Sequence, residues 1–129
     1  QNKNPEVWAE FATHLSEHSP LGSAYTLLHV QAERPSLYDL TDRLRLNTTP
    51  TLLLVGDEDE SCLDVNLYLK RTMPYSGLHI FSKSGHLLNL EEPKRFNTLT
   101  QEFFNEVASG GWKRRDPRSE TVSAFGQRK

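Results

Sequence analysis

Two side chains of this sequence, Asp59 and His86, have the types and the placement that general base catalysis requires. An imidazole can take up a proton near neutral pH because its unperturbed pKa is about 6.5. A carboxylate on the other ring nitrogen fixes the tautomer and stabilises the imidazolium that forms. Asp59 follows the apolar run 50–56, and His86 follows a second apolar run, 78–81. We therefore expect these two side chains to meet as a carboxylate–imidazole pair.

The elements that would bring them together are two strands and the helix between them. Residues 51–55 are uniformly apolar or β-branched, which is typical of a strand buried on both faces. A helix capped by Ser61 and running to about Arg71 follows, and residues 78–81 form the second strand. A strand–helix–strand unit of about thirty residues is a right-handed crossover, so the strands should be parallel. Their carboxyl ends then lie at one edge of the sheet, where open α/β sheets bind ligands.

Position after the strand does not by itself identify which acid would pair with the histidine. Asp57, Glu58 and Asp59 all follow the first strand, and the two that do not meet the histidine would decorate the loop or cap the helix. Cys62 is the only residue that could substitute for a missing nucleophile. It lies at the start of a predicted helix, where a thiolate would be stabilised. A structural role for this cysteine is nevertheless the favoured interpretation.

Neither a metal nor a cofactor is expected from the sequence. His14 and His18 lie four residues apart on one helix face, a spacing that can bind zinc, but no third ligand is evident. We interpret both as exposed polar residues. No glycine-rich phosphate loop occurs, so the cofactor and metal predictions are both none.

The remaining elements are helical. Asn4-Pro5 and Ser19-Pro20 predict two helix starts, and a third short helix follows Ser36, so residues 1–46 are predicted to contain three helices and no strand. A last helix begins at Pro93 and ends at Gly110-Gly111, after which Trp112 folds back onto it. We divide the chain into helical residues 1–46, a core at residues 47–112 and a basic, flexible tail at residues 113–129.

Composition excludes few function classes. The hydrophobic share of 36% and the charged share of 25% are ordinary for a globular domain of 129 residues. The tail carries six Lys or Arg against two acids, but it lacks the aromatic interleaving of a nucleic-acid platform. We therefore expect no nucleic-acid and no membrane partner, and the single cysteine is consistent with a cytoplasmic protein.

Two segments resemble the α/β-hydrolase superfamily. The run Pro50-Thr51-Leu52-Leu53-Leu54-Val55-Gly56-Asp57-Glu58-Asp59 is similar to its seventh-strand segment, where the triad acid lies three residues after the glycine, at Asp59 here. The run Ser84-Gly85-His86-Leu87-Leu88-Asn89-Leu90-Glu91-Glu92-Pro93 is similar to its histidine loop, with Glu91 and Pro93 in their usual places. The resemblance covers residues 50 to about 112, and residues 1–46 resemble the end of a helical cap and the helix that returns to the sheet.

The resemblance implies a partial α/β-hydrolase fold and a nucleophile–His–Asp triad with Asp59 and His86 as its acid and histidine. The Gly-x-Ser-x-Gly elbow that would carry the nucleophile is absent from this sequence. We therefore expect the chain to begin after the nucleophile and to be inactive alone. Whether the missing nucleophile is Ser, Cys or Asp stays open, so the bond attacked could be an ester, lactone, thioester, a carbon–carbon bond between carbonyls, or that of a halide or epoxide.

The expected partners are a small-molecule substrate and a polypeptide segment that adds strands to the sheet. Two parallel strands do not form a stable sheet in water, and an unpaired edge invites another strand. We expect this edge to pair with the missing amino-terminal half or with another copy, as a homo-oligomer when the chain is alone. The alternative function is a non-catalytic interaction or regulatory module that retains part of the fold.

Overall fold

The computed structural model describes residues 4–120, which fall into two compact units that divide between Leu40 and Thr41. Within the described part of the first unit every regular element is helical. Helix α1 spans Pro5–Ser16, and helix α2 spans Pro20–Thr26 and continues into a π-helical turn at Leu27–Gln31. A 3-10 turn at Leu37–Leu40 ends this unit.

Both predicted helix starts are confirmed. The side chain of Asn4 accepts a hydrogen bond from the Val7 amide at 3.2 Å, and Ser19 accepts one from the Gly22 amide at 3.2 Å. Each cap satisfies an amide that has no partner within its own helix. A proline occupies the first turn of both helices, where its missing N–H costs nothing.

The second unit contains a two-stranded sheet with helices packed on it. Its elements are, in chain order, α3 (Thr41–Arg45), β1 (Thr51–Gly56), α4 (Glu60–Thr72), β2 (Ser76–Phe81), α5 (Leu88–Glu91) and α6 (Pro93–Ala108). The strands are parallel, and the pairing runs from Thr51 opposite Ser76 to Gly56 opposite Phe81. The predicted strand–helix–strand order and the parallel pairing are therefore confirmed. Within residues 4–120 each strand has one neighbour, so each keeps one open edge.

The core of this unit is small. The buried apolar side chains are Leu53, Val55, Met73, Phe81 and Leu88, and Phe81 is fully enclosed. By contrast, Leu46 is 81% exposed and Phe104 is 60% exposed. The buried apolar core of the described residues is therefore small for an α/β domain.

The helix that follows β1 starts two residues earlier than predicted. Ser61 was expected to cap it, but α4 begins at Glu60 and places Asp59 at the N-cap position. The Asp59 side chain makes no capping bond. It accepts a hydrogen bond from the Ser61 hydroxyl instead, at 3.0 Å, so the serine supports the acid rather than the helix.

Two further boundaries differ from the prediction. Strand β2 begins at Ser76, because Gly77 pairs with Leu52 rather than ending the preceding loop. The single turn α5 was not predicted, since four residues carry no periodicity that a sequence pattern can reveal.

The end of α6 is confirmed. Gly110 has φ of +69°, the left-handed conformation that terminates helices, and Trp112 returns to within 4.8 Å of the Phe103 ring. The Trp112 indole donates to the Tyr75 carbonyl at 2.7 Å. The segment predicted as a basic tail begins beside α4, where the Arg115 guanidinium donates to the Lys70 carbonyl at 2.8 Å. The rest of the predicted tail, beyond residue 120, lies outside the described residues, and the three-part division of the chain stays a prediction.

None of the helices within residues 4–120 combines the length and the apolar character that crossing a lipid bilayer demands.

The close approach of the first strand to the loop before His86 yields a stability prediction. A Cβ atom on Gly56 would lie 2.1 Å from the Ser84 carbonyl oxygen and 2.3 Å from that of Gly85. We expect Gly56→Ala to lower the free energy of unfolding by about 1–3 kcal/mol in urea titration, because backbone must move. Gly22→Ala is the matched control, since its Cβ would meet Ser19 at an ordinary 3.5 Å. Equal stability of the two variants would contradict the prediction.

Candidate active site

The turn that leaves β1 is fastened to the loop that delivers the histidine. One carboxylate oxygen of Asp57 accepts hydrogen bonds from the amides of Lys83, at 2.6 Å, and Ser84, at 3.4 Å. In the opposite direction, the Glu58 amide donates to the Ser84 carbonyl at 3.0 Å. Lys83 turns the loop with a φ of 61°. Asp57 therefore holds the histidine loop at the carboxyl end of the strand.

The predicted pair forms. His86 Nδ1 lies 2.6 Å from Asp59 Oδ2. A carboxylate can only accept a hydrogen bond, so Nδ1 carries the proton and Nε2 keeps its lone pair. The Asp59 side chain is 11% exposed, whereas the His86 ring is 74% exposed. The acid is thus enclosed behind the ring, and the basic nitrogen is left for a partner that comes from outside.

Asp59 is held ionised by the groups around it. The hydrogen bond from His86 is the main cause that lowers the pKa of this carboxyl below its ordinary value, and hydrogen bonds from Cys62 and Ser61 act in the same direction. Partial burial opposes them without reversing the shift. Of the three acids after β1, Asp59 is the one that meets the histidine.

A second carboxylate fixes the backbone on both sides of the histidine. Glu91 Oε2 accepts from the Gly85 amide at 2.9 Å, and Oε1 accepts from the Leu87 amide at 3.2 Å. These two amides flank His86 directly, so one bidentate acid fixes the backbone from which the ring projects. This role of Glu91 was not predicted from the sequence, where its only signal is an acid five residues after the histidine.

Cys62 is part of the site but is not an activated nucleophile. Its Sγ lies 3.9 Å from His86 Nδ1. The hydrogen bond to Asp59 raises the pKa of the thiol, so the expectation that a helix start would stabilise the thiolate is wrong here. The charge of the Asp59 carboxylate and the burial of the thiol act in the same direction. The ligand atoms of Asp59, Cys62 and His86 all lie within 4.8 Å of one another, which makes this trio a possible metal site.

The two histidines of the first predicted helix, His14 and His18, were considered as zinc ligands because of their spacing. His14 and His18 are exposed, as predicted. His14 pairs with Glu17 at 3.3 Å and lies 3.9 Å from Glu10. Such exposed ion pairs contribute little to stability.

The chain matches parts of known hydrolases. No family model matches it. It is 31% identical over 70 residues to a proline iminopeptidase of Heyndrickxia coagulans, a stretch that covers 54% of this chain and 24% of that protein. The fold is similar to MenH from S. aureus, with a TM-score of 0.73 at 25% identity over 80% of this chain and 38% of that one.

A second solved structure, the α/β hydrolase MGS-MChE2 from a lagoon-sediment metagenome, matches with a TM-score of 0.54 at 24% identity. The match covers 68% of this chain and 45% of that protein. The chain therefore spans about a quarter of the length of the curated relative and less than half of either solved structure.

The bidentate contact of Glu91 yields a prediction about the histidine loop. Glu91→Gln replaces one accepting oxygen by an amide that cannot accept, so the Gly85 and Leu87 amides should exchange with solvent faster. We expect a loss of about 1–3 kcal/mol in the free energy of unfolding, since a hydrogen bond to a charged acceptor is removed. Hydrogen exchange followed by NMR measures the local effect. The same change at exposed Glu92 is the control, and equal exchange in both variants would argue against this role.

The pair of Asp59 and His86 yields a prediction about pH. Because the folded pKa of Asp59 is lowered from its ordinary 3.8, this acid stabilises the fold above that value. The stabilisation is lost as the pH falls through the folded pKa. A carbon-detected NMR titration of the Asp59 carboxyl should show a midpoint below 3.8, and His86→Ala should raise it. Asn89→Ala, an exposed change nearby in sequence, should leave it in place. An unchanged midpoint in His86→Ala would refute the proposed cause.

Proposed function

We propose that this chain, which has the fold of the carboxyl-terminal part of an α/β-hydrolase, supplies the acid and the histidine of a hydrolytic triad. The observation that carries the proposal is the 2.6 Å contact between His86 Nδ1 and Asp59 Oδ2 at the carboxyl ends of two parallel strands. His86 is the general base, and Asp59 orients it. The names of two sequence relatives, a proline iminopeptidase and a 2-hydroxy-6-oxononadienedioate/2-hydroxy-6-oxononatrienedioate hydrolase, support the same activity class.

The proton path follows from the tautomer. A nucleophile that attacks a carbonyl carbon transfers its proton to His86 Nε2, which carries the available lone pair. The ring then becomes an imidazolium, and the ionised Asp59 stabilises the positive charge through Nδ1–H. His86 later returns the proton to the leaving group. Glu91 keeps the ring in place during both transfers by holding the backbone at Gly85 and Leu87.

The nucleophile and the donors for the oxyanion come from chain outside residues 1–129. The sequence has no Gly-x-Ser-x-Gly elbow, and the pKa of Cys62 is raised rather than lowered. The open edges of β1 and β2 are the places where further strands would pair. We therefore propose that an amino-terminal part of the fold, in the same protein or supplied by a partner, completes the sheet and the triad. A second copy that pairs at the same edge is the competing occupant.

The reaction class is attack on a bond next to a carbonyl. A base–carboxylate pair serves amides, esters, thioesters and carbon–carbon bonds flanked by carbonyls, because each passes through an oxyanion that the same geometry can form. The matched relatives include a proline iminopeptidase and a 2-hydroxy-6-oxononadienedioate/2-hydroxy-6-oxononatrienedioate hydrolase. The substrate is thus a small molecule with such a carbonyl group.

The test is complementation of the chain with an amino-terminal segment of an α/β-hydrolase. The purified chain is incubated with a chromogenic short-chain ester, alone and together with that segment. We expect hydrolysis only in the mixture, and His86→Ala or Asp59→Asn in the chain should lower its rate on the order of 10³–10⁴-fold.

The control variant for this experiment is Glu58→Gln, an exposed acid of the same turn that does not meet the histidine. Hydrolysis by the chain alone that survives His86→Ala would contradict the assignment. Absence of hydrolysis in a folded, mixed complex would favour the alternative of a non-catalytic interaction module.

A further inference from the structure

Three different ligand atoms lie close together at the site, and the proposed hydrolytic mechanism has no role for one of them, the sulfur of Cys62. Asp59 offers an oxygen, His86 a nitrogen and Cys62 a sulfur, and all three lie within 4.8 Å of one another. They come from two segments, the start of α4 and the loop after β2, which the turn at Asp57 fastens together. The arrangement is therefore built by the fold rather than by local sequence.

We propose that Asp59, Cys62 and His86 bind a thiophilic divalent cation of the zinc class, with the fourth coordination position open to solvent. Zinc takes mixed oxygen, nitrogen and sulfur ligands at about 2.0–2.3 Å, and three protein ligands leave one position for water. The oxygen-seeking cations Mg²⁺ and Ca²⁺ do not favour a thiol and an imidazole together.

The three ligand atoms must move to reach tetrahedral spacing. Tetrahedral zinc separates its ligand atoms by about 3.3–3.7 Å, given the bond lengths above. Cys62 Sγ and His86 Nδ1 lie 3.9 Å apart, so this pair would close by a few tenths of an ångström. Asp59 Oδ2 and His86 Nδ1 are 2.6 Å apart because a proton joins them, and this pair must open. The 74% exposure of the ring gives it room to move.

Binding replaces protons by the metal. The Cys62 thiol loses its proton to solvent when the sulfur–metal bond forms, so one proton is released per ion. The imidazole stays neutral but shifts its proton from Nδ1 to Nε2, which frees Nδ1 to bind the ion. No oxidation or reduction is involved.

This proton shift prevents His86 from acting as a general base, a consequence that rests on the proposed function. With the proton on Nε2, the ring has no lone pair facing a nucleophile, and Nδ1 no longer donates to Asp59. The same three residues then act as a switch between a metal-free base and a metal-bound, inactive site. The binding itself does not depend on the hydrolase proposal.

Metal titration of the full chain tests the site directly. Co²⁺ gives a thiolate-to-metal absorption band only when sulfur is a ligand, and Cys62 is the only cysteine of the chain. We expect this band to grow to one equivalent of Co²⁺ and to disappear when Zn²⁺ is added. Cys62→Ser should abolish the band, and both it and His86→Ala should weaken zinc binding at least about tenfold in calorimetry.

His14→Ala is the matched control, because His14 is also an exposed histidine beside carboxylates. It should leave the cobalt band and the zinc affinity unchanged. Circular dichroism of each variant separates loss of a ligand from loss of the fold. Absence of the band in the unmodified chain, or equal zinc affinity in Cys62→Ser, would overturn the proposal.

Experiments can refute the hydrolase proposal and the metal-site proposal independently of each other. Zinc binding by a chain whose complemented form hydrolyses nothing would refute the hydrolase proposal and keep the metal site. Hydrolysis that Zn²⁺ inhibits equally in the unmodified chain and in Cys62→Ser would place the inhibiting ion elsewhere and refute the switch, whereas the cobalt band tests the site itself.

Discussion

The close contact between the end of β1 and the loop after β2 is the constraint on which the site depends. Gly56 is close enough to the Ser84 and Gly85 carbonyls that a Cβ atom could not be accommodated, and Asp57 binds the amides of Lys83 and Ser84. These contacts join segments that lie more than twenty residues apart in sequence. Because the loop is fixed in this way, the carboxylate that follows one strand meets the imidazole that follows the other.

Asp59 departs from the local structural preference of its position. It occupies the N-cap position of α4, where an aspartate ordinarily accepts a hydrogen bond from the helix backbone. Its carboxylate instead accepts from His86 and Ser61, and α4 begins without a side-chain cap. The helix thereby forgoes the roughly 1 kcal/mol of stabilisation that a capping bond contributes. Departures of this kind from the local rules are characteristic of functional positions.

The elements that sequence periodicity predicted were those stabilised by local pattern or by apolar runs. The strand pair, the starts of α1 and α2 and the left-handed Gly110 were all predicted, because caps, prolines and glycines act within a few residues. The meeting of Asp59 and His86 could also be predicted, since parallel strands end at the same edge. The contacts of Glu91 and Cys62 could not, because they depend on how the chain turns after the strands.

Exposure of the histidine is what links the two chemistries of the site. A base and its carboxylate act most strongly in a site that excludes water, where charges are less screened. The His86 ring is 74% exposed, so the described residues alone do not provide such a site. The proposed metal binding uses the same exposure, because the ring must turn away from Asp59 before Nδ1 can bind a cation. Strands added at the open edges would bring further chain over the carboxyl ends, shield the pair and strengthen the base. The surroundings that would favour catalysis therefore disfavour metal binding, and we propose that the extent of the sheet selects between the two.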